Sequence, residues 1–288
     1  MDSNPFQVDA QTRLIGILGH PVRHSLSPII HNAAFRALGL NCCYVALEVP
    51  STKLSEAVRG LATLGFLGAN VTIPHKEAVL PLMDGLSDEA KAVGAVNTIV
   101  CRDGRLFGYN TDVTGFLAPL EGHPLSGKCM TILGAGGAAR AAAYGLLQAF
   151  EPSKLWLAAR RVRQAKALAD DLAVSDSDGV LAPIAITDAR PQVRASALIV
   201  NATPVGLYPH VEVSPWPHVE DFRTGQYVYD LVYRPRDTRL LREARGRGAE
   251  ILDGVSMLIH QAAAAFVQWT NKPMPLEPVE AVLMEALQ

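Results

Sequence analysis

The 288-residue sequence has little of what marks several protein classes. Its net charge is −2, from 26 basic and 28 acidic residues, so no general attraction to nucleic acid or to an anionic membrane is expected. No apolar run is long enough to cross a bilayer. The first residues, MDSNPFQVDAQTRL, lack the basic-then-apolar order of a secretory signal. These deficits favour a cytoplasmic protein that acts on small molecules.

Cysteine and metal-binding patterns are also scarce. The four cysteines are Cys42, Cys43, Cys101 and Cys129, and none forms a C-x-x-C pair. This pattern predicts free thiols in a reducing compartment. The histidines include no i, i+4 pair accompanied by a glutamate, so a zinc site is not expected.

What the chain does contain is a regular alternation of strand-like and helix-like segments. Hydrophobic residues make up 49% of it, and its length suits one large domain or two ordinary ones. The alternation predicts an α/β protein, with a doubly wound parallel sheet in its second part. Two local predictions bear on the site described below. Ser27 is expected to cap a helix that has Pro28 in its first turn, and residues 75–82 are expected to form a helix that begins around Lys76.

A glycine-rich turn lies near the middle of the chain, within CMTILGAGGAARAAAYG at residues 129–145. An apolar strand precedes the turn and an alanine-rich helix follows it. Gly134 allows the chain to turn, and Gly136 has no Cβ, so a pyrophosphate can approach the backbone. The helix N-terminus then offers unpaired N–H groups to phosphates. The alternative is an ordinary tight turn, but the flanking elements favour dinucleotide binding.

The type of dinucleotide is indicated by the end of the next strand. An NAD site usually places an acidic residue about 20 residues beyond the glycine turn. Here the sequence has Ala159-Arg160-Arg161-Val162-Arg163 instead. Arginines at a strand end can clamp a 2′-phosphate by bidentate contacts, which predicts NADP. A basic, solvated helix start is the alternative.

Short polar side chains recur at other predicted strand ends. Asn70 and Thr72 share one side of a strand, and Lys76 follows just beyond it. Asn97-Thr98 and Asn110–Asp112 flank further apolar runs. Such side chains suit a small polyhydroxy ligand better than a metal. For Lys76 alone, a solvated surface lysine is the alternative.

Eight motifs, in this order along the chain, resemble the shikimate dehydrogenase family. They are G-H-P-V-R-H-S-L-S-P-I-I-H-N, G-A-N-V-T-I-P-H-K, G-A-V-N-T, G-Y-N-T-D, G-A-G-G-A-A-R-A, N-A-T-P-V-G, D-L-V-Y-x-P and D-G-x-x-M-L-x-x-Q-A. The resemblance implies an N-terminal α/β substrate domain, a Rossmann-type NADP-binding domain, and C-terminal helices that return to the first domain. The expected limits are 1–113, 114–253 and 254–288. The implied activity is the reversible, NADP-dependent reduction of 3-dehydroshikimate to shikimate in aromatic amino-acid biosynthesis.

The resemblance also implies roles for individual residues. Lys76 would protonate the developing alkoxide, and Asp112 would orient Lys76. The residues expected to bind substrate are Ser25 and Ser27 at the carboxylate, Tyr233 near it, and Asn70, Thr72, Asn97, Asp112 and Gln261 at the ring hydroxyls, with Lys76 beside them. The residues expected to bind the cofactor are Gly134, Ala135, Gly136, Gly137, Ala138, Ala159, Arg160, Arg161, Arg163, Thr203, Val205, Leu231, Gly254 and Met257.

Two alternatives remain open. Much of the family has Asn-Arg-Thr where this chain has Ala159-Arg160-Arg161, so contacts to the adenosine phosphate must be rebuilt here. A quinate or quinate/shikimate dehydrogenase that uses NAD is the first alternative, although Ser25-Leu26-Ser27 is similar to the Ser-x-Ser pair of shikimate enzymes. A non-catalytic shikimate- or quinate-binding regulatory protein is the second. The expected assembly is a monomer or a homodimer.

Overall fold

The computed structural model describes residues 8–176 and 178–287. The chain forms two compact units. The first unit comprises the residues up to Thr111 together with those from Ile259 onward, and the second comprises Asp112–Leu258. The limits expected from the sequence, 1–113, 114–253 and 254–288, divide the chain by the ligand that each part is expected to bind. That division stays a prediction.

The secondary structure alternates along the chain. The strands are β1 (Arg13–Gly19), β2 (Cys42–Glu48), β3 (Gly68–Val71), β4 (Gly85–Leu86), β5 (Thr98–Arg102), β6 (Arg105–Tyr109), β7 (Cys129–Leu133), β8 (Lys154–Ala159), β9 (Leu181–Ala185), β10 (Leu198–Asn201), β11 (Tyr227–Asp230) and β12 (Glu250–Leu252). The helices are α1 (Ser27–Ala37), α2 (Leu54–Thr63), α3 (Asp88–Val93), α4 (Asp112–Leu117), α5 (Gly137–Phe150), α6 (Val162–Asp171), α7 (Arg190–Ala195), α8 (Arg239–Gly246), α9 (Gly254–Thr270) and α10 (Leu276–Ala286).

The first unit is built on a mixed sheet with the strand order β2-β1-β3-β5-β6-β4. β1 pairs in parallel with β2 and β3, whereas β3 and β5 are antiparallel. Ile15, Ile17 and Leu18 of β1 are buried because the strand lies inside the sheet. Since β1 and β3 run in parallel, the polar segments that follow them leave the sheet at the same edge.

The C-terminal helices pack on this first unit, as the family resemblance implied. Phe266 of α9 stacks on Phe35 of α1 with 5.2 Å between ring centroids. The indole Nε1 of Trp269 donates a 2.9 Å hydrogen bond to the carbonyl of Ile99. Gly68 makes this contact possible, because a Cβ at that position would lie 2.5 Å from the Trp269 Nε1 atom. Trp269 therefore ties α9 to the middle of the sheet.

The second unit has an all-parallel sheet with the order β12-β11-β10-β7-β8-β9. When β7 to β12 are numbered 1 to 6 and the sheet is read from the β9 edge, the order is 3-2-1-4-5-6, as in a doubly wound dinucleotide-binding domain. The prediction of a doubly wound parallel sheet in the second part of the chain is therefore confirmed. β7 is the first strand, and the chain reverses direction across the sheet between β7 and β10. The carboxyl end of β7, where Gly134 follows, lies at this switch point.

The prediction of a helix over residues 75–82 is wrong. Turns follow β3, and only a 3-10 turn forms at Leu80–Leu82. The Lys76 carbonyl accepts a 2.8 Å hydrogen bond from the Val96 N–H, so it is engaged outside any local helix. The prediction that Lys76 lies in the first turn of a helix falls with it.

The expected role of Ser27 as a helix cap is also wrong. Leu26 occupies the N-cap position, without a side-chain capping bond, and Ser27 is the first residue of α1. Ser25 accepts the Ser27 N–H at its Oγ atom over 3.2 Å. Ser25 therefore supports the start of α1.

The short strand β4 and two elements of the second unit, β9 and α7, were not predicted from the sequence. β9 lies at the edge of the second sheet and contains Pro183, which an edge strand tolerates because one side needs no ladder donor. α7 is a short helix with a proline in its first turn. Over the described residues, no helix has the length and apolar character needed to cross a membrane.

Candidate active site

A buried cluster of neutral polar side chains lies where β3 and β6 end and β5 begins. Asn70 donates from Nδ2 to the Asn97 carbonyl over 3.1 Å and to Thr98 Oγ1 over 3.0 Å. Asn97 Oδ1 accepts from the Thr111 N–H over 2.7 Å, and Asn97 Nδ2 donates to Thr111 Oγ1 over 3.0 Å. All four residues are buried. Two expected substrate ligands, Asn70 and Asn97, are therefore held in one network by two threonines.

Tyr44 extends this cluster on the other side. Its hydroxyl donates a 2.6 Å hydrogen bond to Asn70 Oδ1, and its ring stacks on His31 with 4.4 Å between centroids. Burial lowers the pKa of His31 to about 3, so the imidazole is neutral at physiological pH. Sequence reasoning missed Tyr44 as a part of the site, whereas Thr98 and Thr111 lie in the polar segments that it singled out without giving either residue a role of its own.

The Lys76 loop is anchored through its backbone and through His75. His75 is buried, and its Nε2 lies 2.7 Å from the Val49 carbonyl, which can only accept, so Nε2 carries the proton. The bond from Val96 N–H to the Lys76 carbonyl places Lys76 beside the residue that precedes Asn97. The lysine side chain is half-buried. The segment that carries Lys76 thus adjoins this cluster, and a lysine ammonium group is suited to donate a proton to a bound oxygen.

Ser25 and Ser27 follow β1 at the same edge. Thr72 N–H donates to the Leu18 carbonyl and His20 N–H to the Ile73 carbonyl, so the β1–β3 pairing continues past both strands. The Ser25 hydroxyl uses one lone pair on Ser27 N–H, which leaves its proton for an external acceptor. Ser27 is buried, and its hydroxyl opposes the rise in the pKa of the Tyr44 phenol that burial causes. The edge thus carries two serine hydroxyls next to the amide cluster.

The remaining expected ligands are placed as follows. Asp112 is buried at the start of α4, directly after Thr111, whose contacts with Asn97 fix the chain there. Gln261 lies on α9 in the first unit. Tyr233 follows β11 in the second unit, and burial raises the pKa of its phenol while Arg234 lowers it. Their expected contacts with a substrate stay predictions.

The nucleotide-type turn of the second unit has the required open geometry. Gly134 has a φ of 122°, and a Cβ there would meet the Ala202 carbonyl at 3.0 Å, so the turn needs glycine. Gly136 is exposed, has ordinary extended backbone, and a Cβ there would meet nothing within 4 Å. The fold therefore does not require glycine at 136, whereas an approaching phosphate does. This supports the role inferred for Gly136 from the sequence.

A second buried network shapes the loop after β10. Asn201 Oδ1 accepts from the backbone and hydroxyl of Thr203 over 3.0 and 2.6 Å, and Asn201 Nδ2 donates to Asp230 Oδ1 over 2.8 Å. Asp230 Oδ2 accepts from the Thr238 hydroxyl over 2.7 Å. Burial raises the pKa of Asp230 to about 6, although its hydrogen bonds oppose the rise. Asp230 thus fixes the loop that carries Thr203 and Val205, a role that the sequence did not reveal.

The other expected cofactor residues divide into buried and exposed positions. Arg160, Arg161 and Arg163 are exposed at and just beyond the end of β8. Gly254 begins α9 so close to β11 that a Cβ would lie 2.5 Å from the Leu231 carbonyl. Met257 packs in the hydrophobic core of the second unit. Gly254 and Met257 therefore have structural roles, and their contact with a cofactor stays a prediction.

The fold and the glycine turn define a dinucleotide-binding protein of the doubly wound class. Sequence profiles of the shikimate dehydrogenase substrate binding domain and of the shikimate 5′-dehydrogenase C-terminal domain match residues 17–99 and 254–284. The shikimate dehydrogenase (NADP(+)) of Salinibacter ruber is 53% identical over 285 residues, covering 98% of this chain and 99% of the relative. This chain belongs to the shikimate dehydrogenase family.

Two solved structures bear on the choice of ligands. The shikimate 5-dehydrogenase of Thermus thermophilus, in complex with NADP(H) and shikimate, is 39% identical with a TM-score of 0.84, covering 96% of this chain and 100% of that one. The quinate dehydrogenase of Corynebacterium glutamicum, in complex with NAD, is 32% identical with a TM-score of 0.86, covering 95% and 99%. The fold is therefore shared by enzymes of both specificities.

Proposed function

We propose that this protein is an NADP-dependent shikimate dehydrogenase that reversibly reduces 3-dehydroshikimate to shikimate. The observation that carries the proposal is the buried cluster around Asn70 and Asn97, which offers neutral donors and acceptors to a polyhydroxy ring. The Salinibacter ruber relative, which bears this activity in its name and matches along nearly the whole chain, supports it.

The cofactor site fits NADP on three counts. Gly136 leaves open space at the N-terminus of α5, where the first N–H groups of a helix bind phosphates. The Asp230 network holds the neighbouring loop. The exposed arginines after β8 replace the acidic residue that would hold the ribose 2′-hydroxyl of NAD. When bound, NADPH supplies the hydride that reduces the ring ketone.

The chain's own residues complete the reaction. Lys76 gives a proton to the oxygen that becomes the new hydroxyl, and Asp112 acts with it as the second member of the acid–base pair. Ser25 and Ser27 donate hydrogen bonds to the substrate carboxylate. Asn70, Thr72, Asn97 and Gln261 bind the ring hydroxyls, and Tyr233 lies near the carboxylate. In the oxidation direction Lys76, as the free amine, accepts the same proton.

The test is a side-by-side assay of shikimate and quinate, each with NADP and with NAD. We expect kcat/KM for shikimate with NADP to exceed that of the other pairs, and to exceed quinate with NADP by at least about tenfold. Quinate with NAD as the best pair would make the protein a quinate dehydrogenase, a second candidate favoured by the Corynebacterium glutamicum structure. Tight shikimate binding without any turnover would instead indicate a regulatory binding protein.

We further propose that the protein acts in the cytoplasm, on small molecules alone, as a monomer or a homodimer. Its four cysteines are all free thiols, which suits a reducing compartment. Light scattering coupled to size-exclusion chromatography distinguishes monomer from dimer and would reveal any larger assembly.

A further inference from the structure

His75 is a buried side chain that takes no part in the proposed reaction. It directly precedes Lys76 in the turns that follow β3, and only 1% of its surface is exposed. Its Nε2 donates to the Val49 carbonyl over 2.7 Å. Its Nδ1 is buried and has no hydrogen-bond partner among the described residues. The imidazole therefore makes one directed bond, from the segment that carries Lys76 to the residue that follows β2.

Val49 gives this bond a fixed point in the sheet. Its N–H donates to the Gly19 carbonyl over 3.0 Å, which extends the parallel pairing of β1 with β2 by one residue. Val49 is itself buried. A bond to its carbonyl therefore ties the segment after β3 to the sheet. Removing the donor on His75 takes a partner from a carbonyl in a buried region, where such losses cost most.

The backbone around Lys76 is tied to the sheet from another direction. The Val96 N–H donates to the Lys76 carbonyl over 2.8 Å, and the His75 N–H donates to the Thr72 carbonyl over 2.9 Å. The bond to Thr72 is local and shapes the turn, whereas the bonds to Val96 and Val49 reach outside it. The Cα atom of Lys76 thus lies between two external anchors, namely its own carbonyl and the side chain of the preceding residue.

We propose that His75 is a positioning residue, which holds Lys76 where its ammonium group can protonate the oxygen of the bound substrate. Proton transfer needs the two heavy atoms within hydrogen-bond distance, and a displacement of about 1 Å can cost on the order of 10²-fold in rate. His75 exchanges no proton and contacts neither substrate nor cofactor in this scheme. Its effect passes through Lys76, so the inference rests on the proposed role of that lysine.

Three substitutions of His75 separate the hydrogen bond from the packing. His75→Phe keeps a buried aromatic ring and removes the donor, so kcat for shikimate with NADP should fall at least about tenfold while KM changes by less than about twofold. His75→Gln offers an N–H at about the reach of Nε2 and should restore kcat to within about threefold of the wild type. His75→Asn, whose shorter amide ends near the position of Nδ1, should not. A smaller loss in His75→Phe, or no recovery in His75→Gln, would overturn the proposal.

A double-mutant cycle with Lys76→Ala tests whether His75 acts through the lysine. The loss of kcat caused by His75→Phe should shrink by at least about fivefold in the Lys76→Ala background, because no ammonium group is left to misplace. A smaller reduction would show that His75 supports activity independently of Lys76 and would overturn the proposal. His75→Asn takes the place of His75→Phe in the cycle if the latter does not fold.

Gln226→Leu is the matched control for lost stability. Gln226 is fully buried, and its Nε2 donates to the carbonyls of Val193 and Ser196 over 2.9 Å each, so it also ties a side chain to backbone carbonyls. It lies at the amino end of β11, whereas the nucleotide-type turn follows the carboxyl end of β7. The control should lower the melting temperature and leave kcat unchanged within about twofold. An equal fall of kcat in both variants would trace the effect of His75→Phe to stability and overturn the proposal.

A second measurement needs no turnover. The rate at which acetic anhydride acetylates Lys76 is measured by mass spectrometry relative to that of Lys91, an exposed lysine of α3 in the same protein. Because the reactivity of a lysine depends on its surroundings, this ratio should change at least about threefold in His75→Phe and stay within that limit in His75→Gln. An unchanged ratio in His75→Phe would overturn the positioning role. A wild-type protein that does not turn shikimate over would overturn the proposed function, and the role of His75 would then be decided by this ratio.

Discussion

The two units prepare their ligand sites in opposite ways. In the first unit, Asn70 and Asn97 are buried and oriented by Tyr44, Thr98 and Thr111. In the second unit, the space in front of Gly136 is open, and Arg160, Arg161 and Arg163 are exposed. One site is closed into a hydrogen-bond network, whereas the other consists of open backbone and exposed charge.

The difference follows from what each site must recognise. A small ring is distinguished by the positions of its hydroxyls, so its partners must be fixed before it arrives, and misplaced buried groups cost free energy. Phosphates are recognised by backbone N–H groups and by positive charge, and recognition by charge tolerates some variation in where each cation lies. Substitutions in the first unit should therefore act on chemistry and substrate choice, and those after β8 on cofactor choice.

The largest expected effect tests the chemistry assigned to the first unit. Lys76→Ala should lower kcat by about 10²–10⁴, because the developing alkoxide loses its proton donor. Steady-state kinetics with shikimate and NADP measure this loss. Lys91→Ala is the control, because that lysine is exposed on α3 and pairs with Asp88 over 3.0 Å. A near-normal kcat for folded Lys76→Ala would remove Lys76 from the mechanism.

The next effect tests whether the second unit also depends on a buried network. The Asp230 carboxyl has a folded-state pKa of about 6 against an ordinary value of 3.8. Its contribution to stability is therefore full below about pH 4 and is lost as the pH rises through 6. Asp230→Asn can keep the bonds from Asn201 and Val232, and its side chain does not titrate. As the pH rises from 4.5 to 7.5, the unfolding free energy of the wild type should therefore fall relative to that of the variant by on the order of 2–3 kcal/mol.

Urea unfolding of both proteins across this pH range measures the difference. Asp221→Asn serves as the control, because Asp221 is buried but paired with Arg190 and Arg194, which hold the pKa of that carboxyl below its usual value despite burial. The Asp221 carboxyl is ionised above about pH 5 in both the folded and the unfolded protein. The loss of unfolding free energy caused by Asp221→Asn should therefore be constant above that pH. A constant difference for Asp230→Asn as well would show that Asp230 does not titrate in this range.

How far the sequence could predict these features depends on how local they are. The β7–Gly134–α5 unit was predictable, because its glycines and apolar run lie next to one another in the chain. Asn70, Asn97 and Lys76 were recognisable as candidates because they are polar residues in or next to apolar strand-like runs. The helix expected at 75–82 failed because Val96, twenty residues away, takes the Lys76 carbonyl. Tyr44 and Asp230 escaped notice because their partners come from other elements of the fold.

The contrast between the units sharpens further at the cofactor. Arg160→Ala and Arg161→Ala should each lower kcat/KM for NADP by roughly tenfold, with NAD changed by less than twofold, because a solvent-exposed phosphate contact is partly screened. Added salt should reduce the difference in kcat/KM for NADP between the wild type and the two variants. Lys166→Ala is the control, since this exposed lysine lies on α6 beyond the strand end. Equal losses with NADP and NAD would assign these arginines a general rather than a 2′-phosphate role.

The smallest expected effect concerns the choice between shikimate and quinate in the first unit. Quinate carries an extra hydroxyl on the carbon that bears the carboxylate, so the two acids differ where Ser27 is expected to bind. Ser27 is buried, so a methyl group added there has little free room and changes the space around that carbon. Ser27→Thr should therefore lower the ratio of kcat/KM for shikimate to that for quinate by about fivefold, or about 1 kcal/mol.

Ser27→Ala, which removes the donor and adds no volume, is the control and should lower kcat/KM for both substrates together. A ratio that falls equally in both variants would mean that the hydroxyl, rather than the space beside it, separates the two substrates. The closed network of the first unit would then select by hydrogen bonding alone.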